Sequence, residues 1–166
     1  LRDQRLRPYS RGCRATAEAL AIRAKRESWR IRYVDILLSL HNLNAWLVEI
    51  VGGLTLIVGI VWLVLYRGKA VEASDPVDQV RRVFRYGLIA TFALGALQAI
   101  LGGLLYLMGG HPGNVLHFVY GLLVLVLIPV LWVYSDQNRV RRDVIIMTIA
   151  VLLVVAAGLR AFMTGP

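Results

Sequence analysis

Residues Tyr33–Tyr66 read YVDILLSLHNLNAWLVEIVGGLTLIVGIVWLVLY, and this stretch decides the fold. From Ile36 to Leu65 its only acid is Glu49, and it has no Lys or Arg. A helix that crosses a bilayer needs about 20 predominantly apolar residues. The stretch therefore predicts a membrane span with length to spare. Its overshoot lies at the N-terminal end, where Asp35, His41, Asn42 and Asn44 raise the polarity, and Arg67, Gly68 and Lys69 stop it.

Working outward, three more apolar runs follow. The predicted spans are 36–66, 86–108, 115–134 and 144–162. Ser74-Asp75-Pro76-Val77-Asp78 reads as the start of the second helix: Asp75 caps, Pro76 suits the first turn and Asp78 favours the positive dipole end. Gly109-Gly110 ends that helix, and the loop Gly109–Asn114 (GGHPGN) is rich in turn formers. Pro129 predicts a kink in the third span. Short second and third connections force antiparallel neighbours. The expected fold is all-α, an integral membrane four-helix up-down-up-down bundle.

Whole-chain composition agrees. The 166 residues are 58% hydrophobic and 17% charged, against about 45–50% apolar and about 25% charged in soluble domains. Residues 1–33 form a basic N-terminal tail with ten Arg and Lys against three acids, and they lack the apolar core of a secretory signal. From Arg14 to Tyr33 the tail has helix-forming composition, with Ala17, Leu20, Ala21 and Ala24 near one face. It reads either as an amphipathic surface helix or as a solvated tail that orders against a partner. The expected organisation is this tail, 1–33, followed by a membrane bundle, 34–166.

The net charge of +9 collects in the tail and at the ends of the apolar runs. That placement points to anionic lipid headgroups as partners, and not to nucleic acid. Loop one carries Arg67, Lys69, Arg81, Arg82 and Arg85, loop three carries Arg139, Arg141 and Arg142, and the second loop carries no Lys or Arg. The positive-inside rule puts loops one and three in the cytoplasm of a bacterial-type membrane, with both termini outside. Small residues recur every four positions on span two, at Gly87, Thr91, Gly95, Ala99 and Gly103. That stripe predicts close helix packing, or else room for a flat cofactor; with the basic tail it is also where another membrane subunit is expected to bind.

Catalytic constellations are missing. There is no Ser-His-Asp set, phosphate loop or paired-carboxylate motif, and Cys13 is the single cysteine. A stand-alone enzyme is not expected. A transporter would show broken helices and midplane charges, and only Pro129 and Glu49 hint at them.

Two of the three histidines are matched in depth. His41 opens span one and His117 opens span three, which an alternating bundle makes parallel. Each has a small residue one turn later, Ala45 and Gly121, which leaves room for a planar macrocycle. Two imidazoles on facing helices are suitable axial ligands for a haem iron, so both are candidate metal ligands. Two interfacial histidines with no ligand fit the same positions.

The run Arg81–Leu125, RRVFRYGLIATFALGALQAILGGLLYLMGGHPGNVLHFVYGLLVL, resembles the haem A synthase family. The shared features are a basic pair before a span, Leu97-Gln98 with Leu101-Gly102 inside it, a short outer loop, and His117 opening the next span. The span of His41 resembles the family's other ligand helix, so the likeness covers roughly residues 36–135. It implies a four-helix unit holding haem between His41 and His117. This chain has one such unit where the family has two, and it lacks the family's paired loop cysteines. Tyr106, His111 and Asn114 lie near the outer face, where propionates would sit, although His111, beside Pro112, also reads as simply solvated. Glu49 follows His41 by about two turns; it reads first as a protonated packing residue, and otherwise as a group placed to accept a proton or bond Gln98.

The resulting expectation is a small membrane protein binding haem b, an electron-transfer or haem-handling subunit. The alternative is a cofactor-free accessory subunit of a larger respiratory or photosynthetic complex, or one whose histidine ligates bacteriochlorophyll.

Overall fold

A computed structural model of the chain describes residues 7–66, 76–135 and 139–165. Four helices account for nearly all of them: α1 (Arg7–Leu65), α2 (Pro76–Leu107), α3 (Leu116–Tyr134) and α4 (Val140–Thr164). No strand occurs among the described residues. Each helix contains a stretch long and apolar enough to cross a membrane, so the chain is built as a multi-pass membrane protein. Helices α1, α2 and α4 overrun the predicted spans because the basic, polar residues ahead of each span are helical too, whereas α3 matches its span. The expected Asp75 cap and residues 1–6 of the tail lie outside the described residues.

The chain divides between Leu38 and Ser39 into two units. In the first, every described side chain from Leu20 to Trp29 is exposed. Arg23 pairs with Glu27 one turn on, at 3.8 Å. Trp29 stacks on Tyr33, with ring centres 6.2 Å apart, and the Arg32 guanidinium lies 5.1 Å from the Trp29 ring centre. These are local contacts of an exposed helix.

The second unit holds the core. Trp62, Phe84, Leu88, Val144, Val151 and Val154 are fully buried. α4 supplies the largest share, from Asp143 to Gly158. On α1, Ile50, Leu54, Ile57 and Val61 form an exposed apolar line. In water such a face would favour aggregation; in hydrocarbon it costs nothing.

Lipid tails are as apolar as leucine, so the helices associate through close packing and hydrogen bonds and not by hydrophobic burial. Glycines provide the close approach. A Cβ at Gly59 would lie 2.6 Å from Thr148 Oγ1 and 2.7 Å from Phe84 Cε2. Gly87 is filled by the Thr55 side chain, and Gly95 faces Val124 at 3.3 Å. Gly87, Thr91 and Gly95 of the expected stripe are thus consumed inside the bundle, with Thr55 Oγ1 3.5 Å from Thr91 Oγ1. The rest of the stripe is not: Ala99 and Gly103 are exposed, and Gly103 has nothing within 4 Å of a built Cβ.

The helix ends follow from sequence. Gly109 takes φ 93°, a left-handed value that favours glycine. Gly110 N–H then reaches the Leu105 carbonyl at 2.9 Å and Gly109 N–H the Tyr106 carbonyl at 3.0 Å. This is a Schellman termination. Asn114 Oδ1 accepts the Leu116 N–H at 2.9 Å and starts α3. At the other end, Trp62 Nε1 donates to the Val77 carbonyl at 3.0 Å. Asp143, expected in the connecting loop, instead lies buried in the first turn of α4, 3.3 Å from Arg85 Nη2.

Candidate functional site

His41 and His117 come together. Their ring centres lie 6.3 Å apart, with the planes inclined at 50°. A metal–imidazole bond is about 2 Å and the ring centre lies about 1 Å beyond the ligating nitrogen, so two imidazoles on one metal have centres about 6 Å apart. The observed separation is close to that value.

Each ring is oriented by a neighbour. His117 Nδ1 donates to the Ala161 carbonyl of α4 at 3.1 Å. Metal-binding histidines commonly donate their second nitrogen to a carbonyl, which sets the tautomer and leaves Nε2 as the ligand atom. His41 lies against Gly102 of α2, where a Cβ would stand 3.2 Å from its Cε1. Its Nε2 is 3.1 Å from Gln98 Nε2. Gln98 Oε1 in turn accepts from Asn44 Nδ2 at 2.8 Å, and Asn44 Nδ2 also donates to the Leu94 carbonyl at 2.9 Å. His41 Nδ1 and Asn44 Oδ1 are buried without a hydrogen-bond partner.

The other candidates are spread around the pair. Ala45 is half-buried one turn below His41, and Gly121 is exposed with nothing within 4 Å of a built Cβ. Tyr106 meets His111 edge-on, at 5.2 Å between ring centres, and Phe118 at 5.5 Å. Asn114 spends its carbonyl oxygen on the start of α3. Glu49 does not bond Gln98, whose amide meets Asn44 and His41. It points its carboxyl at Gly158 of α4 instead, and its Oε2 is buried without a partner. No group of three or more His, Cys, Asp or Glu residues suited to a metal ion occurs among the described residues. A metal held here would therefore have to bring most of its own ligands, as a macrocycle does.

No family model, curated protein or solved structure matches the chain. Its functional reading rests on the geometry of the site.

Sequence reasoning tied none of four site-building residues to the histidines. Asn44 follows His41 by three positions, a helical neighbour, and Gln98 is a lone amide in an apolar run; both signals were visible. Gly102 stood in the quoted motif without a role. Ala161 acts through its backbone, which no side-chain pattern announces.

Proposed function

We propose that the chain is a small b-type haem-binding membrane protein, an electron-transfer or haem-handling subunit, with His41 and His117 as axial ligands. The observation that carries this reading is the 6.3 Å separation of the two rings. Ala161 holding His117 by Nδ1 adds support, and so does the open space at Gly121, one turn after His117. One feature requires a change on binding: Gln98 holds the nitrogen of His41 that iron would take. Bound haem would supply one-electron chemistry. The protein supplies the two imidazoles, apolar walls that keep water away, and hydrogen bonds that orient the rings. Tyr106 lies at the same end of the bundle, against Phe118, and its hydroxyl would be a donor for a haem propionate.

Contact order supports an up-down-up-down bundle. Asn44, Thr55 and Trp62 of α1 meet Gln98, Thr91 and Val77 of α2, in descending order. Gly95 and Tyr106 of α2 meet Val124 and Phe118 of α3, and His117 of α3 meets Ala161 of α4. With loops one and three cytoplasmic in a bacterial-type membrane, the histidine pair lies toward the outer side.

The test is a reduced-minus-oxidised absorption spectrum of the purified protein reconstituted with haem. A narrow low-spin b-type α-band is expected. A chlorin band would replace haem by bacteriochlorophyll, and a flat trace would leave a cofactor-free accessory subunit. That second reading draws on one observation: Ala99 and Gly103 present small residues on an exposed face of α2, suited to a helix of another subunit.

A further inference from the structure

The hydrogen bonds around His41 have a direction that can be derived. The Leu94 carbonyl only accepts, so the Asn44 atom facing it must be the amide nitrogen. That same nitrogen faces Gln98, so Gln98 presents Oε1 to it. The Gln98 nitrogen is thereby turned to His41 Nε2, 3.1 Å away. An amide nitrogen only donates, so His41 Nε2 accepts and the ring proton sits on Nδ1. Burial of Nδ1 without a partner is the cost of this arrangement. Leu94 is part of α2 and its carbonyl cannot turn over. A backbone atom therefore dictates, through two amides, which nitrogen of His41 has a free lone pair: neither does.

His117 is the opposite case. The Ala161 carbonyl accepts a hydrogen bond from its Nδ1–H, and Nε2 keeps its lone pair. The two histidines of the pair are thus unequal. His117 is ready to ligate, and His41 is held back.

We infer that Gln98 is a latch on the haem site: it occupies His41 Nε2 in the empty protein and releases it only when iron already bound to His117 takes its place. This rests on the haem reading above. Haem uptake then has two stages, a first at His117 and a second at His41. Gln98 is a positioning residue, because it acts through His41 and not on the iron. Asn44 sets the latch by fixing the direction of the Gln98 amide.

Two measurements on the full chain in detergent test this. Nitrogen NMR of the haem-free protein, labelled in histidine, reads the tautomers directly. His41 is expected to carry its proton on Nδ1 with a hydrogen-bonded Nε2; a proton on Nε2 would overturn the latch whatever any variant does. Rapid mixing with haem b then follows high-spin to low-spin conversion. Gln98→Met keeps side-chain volume and removes the donor, so it is expected to speed the second stage about three- to tenfold and end at the wild-type spectrum. Asn44→Ser, a second variant should Gln98→Met not fold, is expected to speed it less. A rate unchanged or slowed in Gln98→Met would make Gln98 a support for His41 and end the proposal. No haem uptake by either protein would remove the haem reading and the latch with it; uptake at equal rates removes the latch alone.

Discussion

The carboxyl of Glu49 occupies the notch left by the missing side chain of Gly158, so that a Cβ there would fall directly on Glu49 Oε1. The two helices α1 and α4 are close enough at this level that a side chain at position 158 would force the Glu49 carboxyl to shift. Gly158→Ala is expected to destabilise the protein in detergent by about 1–3 kcal/mol through overpacking. Glu49→Ala in the same chain should recover most of that loss. Thermal unfolding of the two single variants and the double variant measures the coupling, and additive losses would refute it.

Glycines on α2 should separate by where they face. Gly87→Ala, which drives a methyl into Thr55, is expected to cost about 1–3 kcal/mol. Gly103→Ala meets open space and should change stability by no more than about 0.5 kcal/mol. Should Gly103→Ala leave stability intact yet abolish co-purification with another membrane subunit, the exposed end of the stripe is a docking face. Equal destabilisation by both would mean that Gly103 is packed too.

Arg85 and Asp143 form the polar counterpart of the histidine pair at the opposite end of the bundle. Asp143 is buried, whereas Arg85 is about a third exposed and can reach water. Asp143→Ala is expected to cost about 1–3 kcal/mol, the range for stranding a partly buried charged partner. Replacing both, as Arg85→Met with Asp143→Leu, should be milder than the single change, since an apolar pair leaves no charge unpaired. Denaturant titration of the three variants checks the order.

The histidine pair predicts a spectral pattern. His41→Ala and His117→Ala are each expected to abolish the low-spin b-type spectrum and leave a high-spin species that binds carbon monoxide. His111→Ala should keep it, because His111 is exposed and contacts Tyr106 and not the pair. Retention of the low-spin band in either His41→Ala or His117→Ala would reassign the ligand.

Orientation is open to reporter fusions. A fusion after Asn114 is expected to report outside and one after Asn138 inside, following the arginines of loops one and three. A cytoplasmic signal at Asn114 would invert the bundle and place the histidines on the inner side.

The sequence by itself determined that this chain is helical, that four helices reach across a membrane, and where α2 stops. Those properties are local: apolar run length decides a span, and Gly109-Gly110 permits the left-handed turn that ends α2. It also singled out His41 and His117, because polar side chains are sparse in an apolar background and their depth follows from counting along each span. Tertiary structure alone decided what touches what. Whether Glu49 meets Gln98 or Gly158 depends on the rotation of α1 about its own axis, which apolar periodicity leaves undefined when lipid and protein interior are equally apolar. The undefined rotation and neighbours of α2 likewise hid the division of its small-residue stripe into a packed half and an exposed half. The burial of Asp143 under Arg85 joins residues 58 positions apart. The orientation of each imidazole was least legible, because it is set by the carbonyls of Ala161 and Leu94, and every residue has a carbonyl.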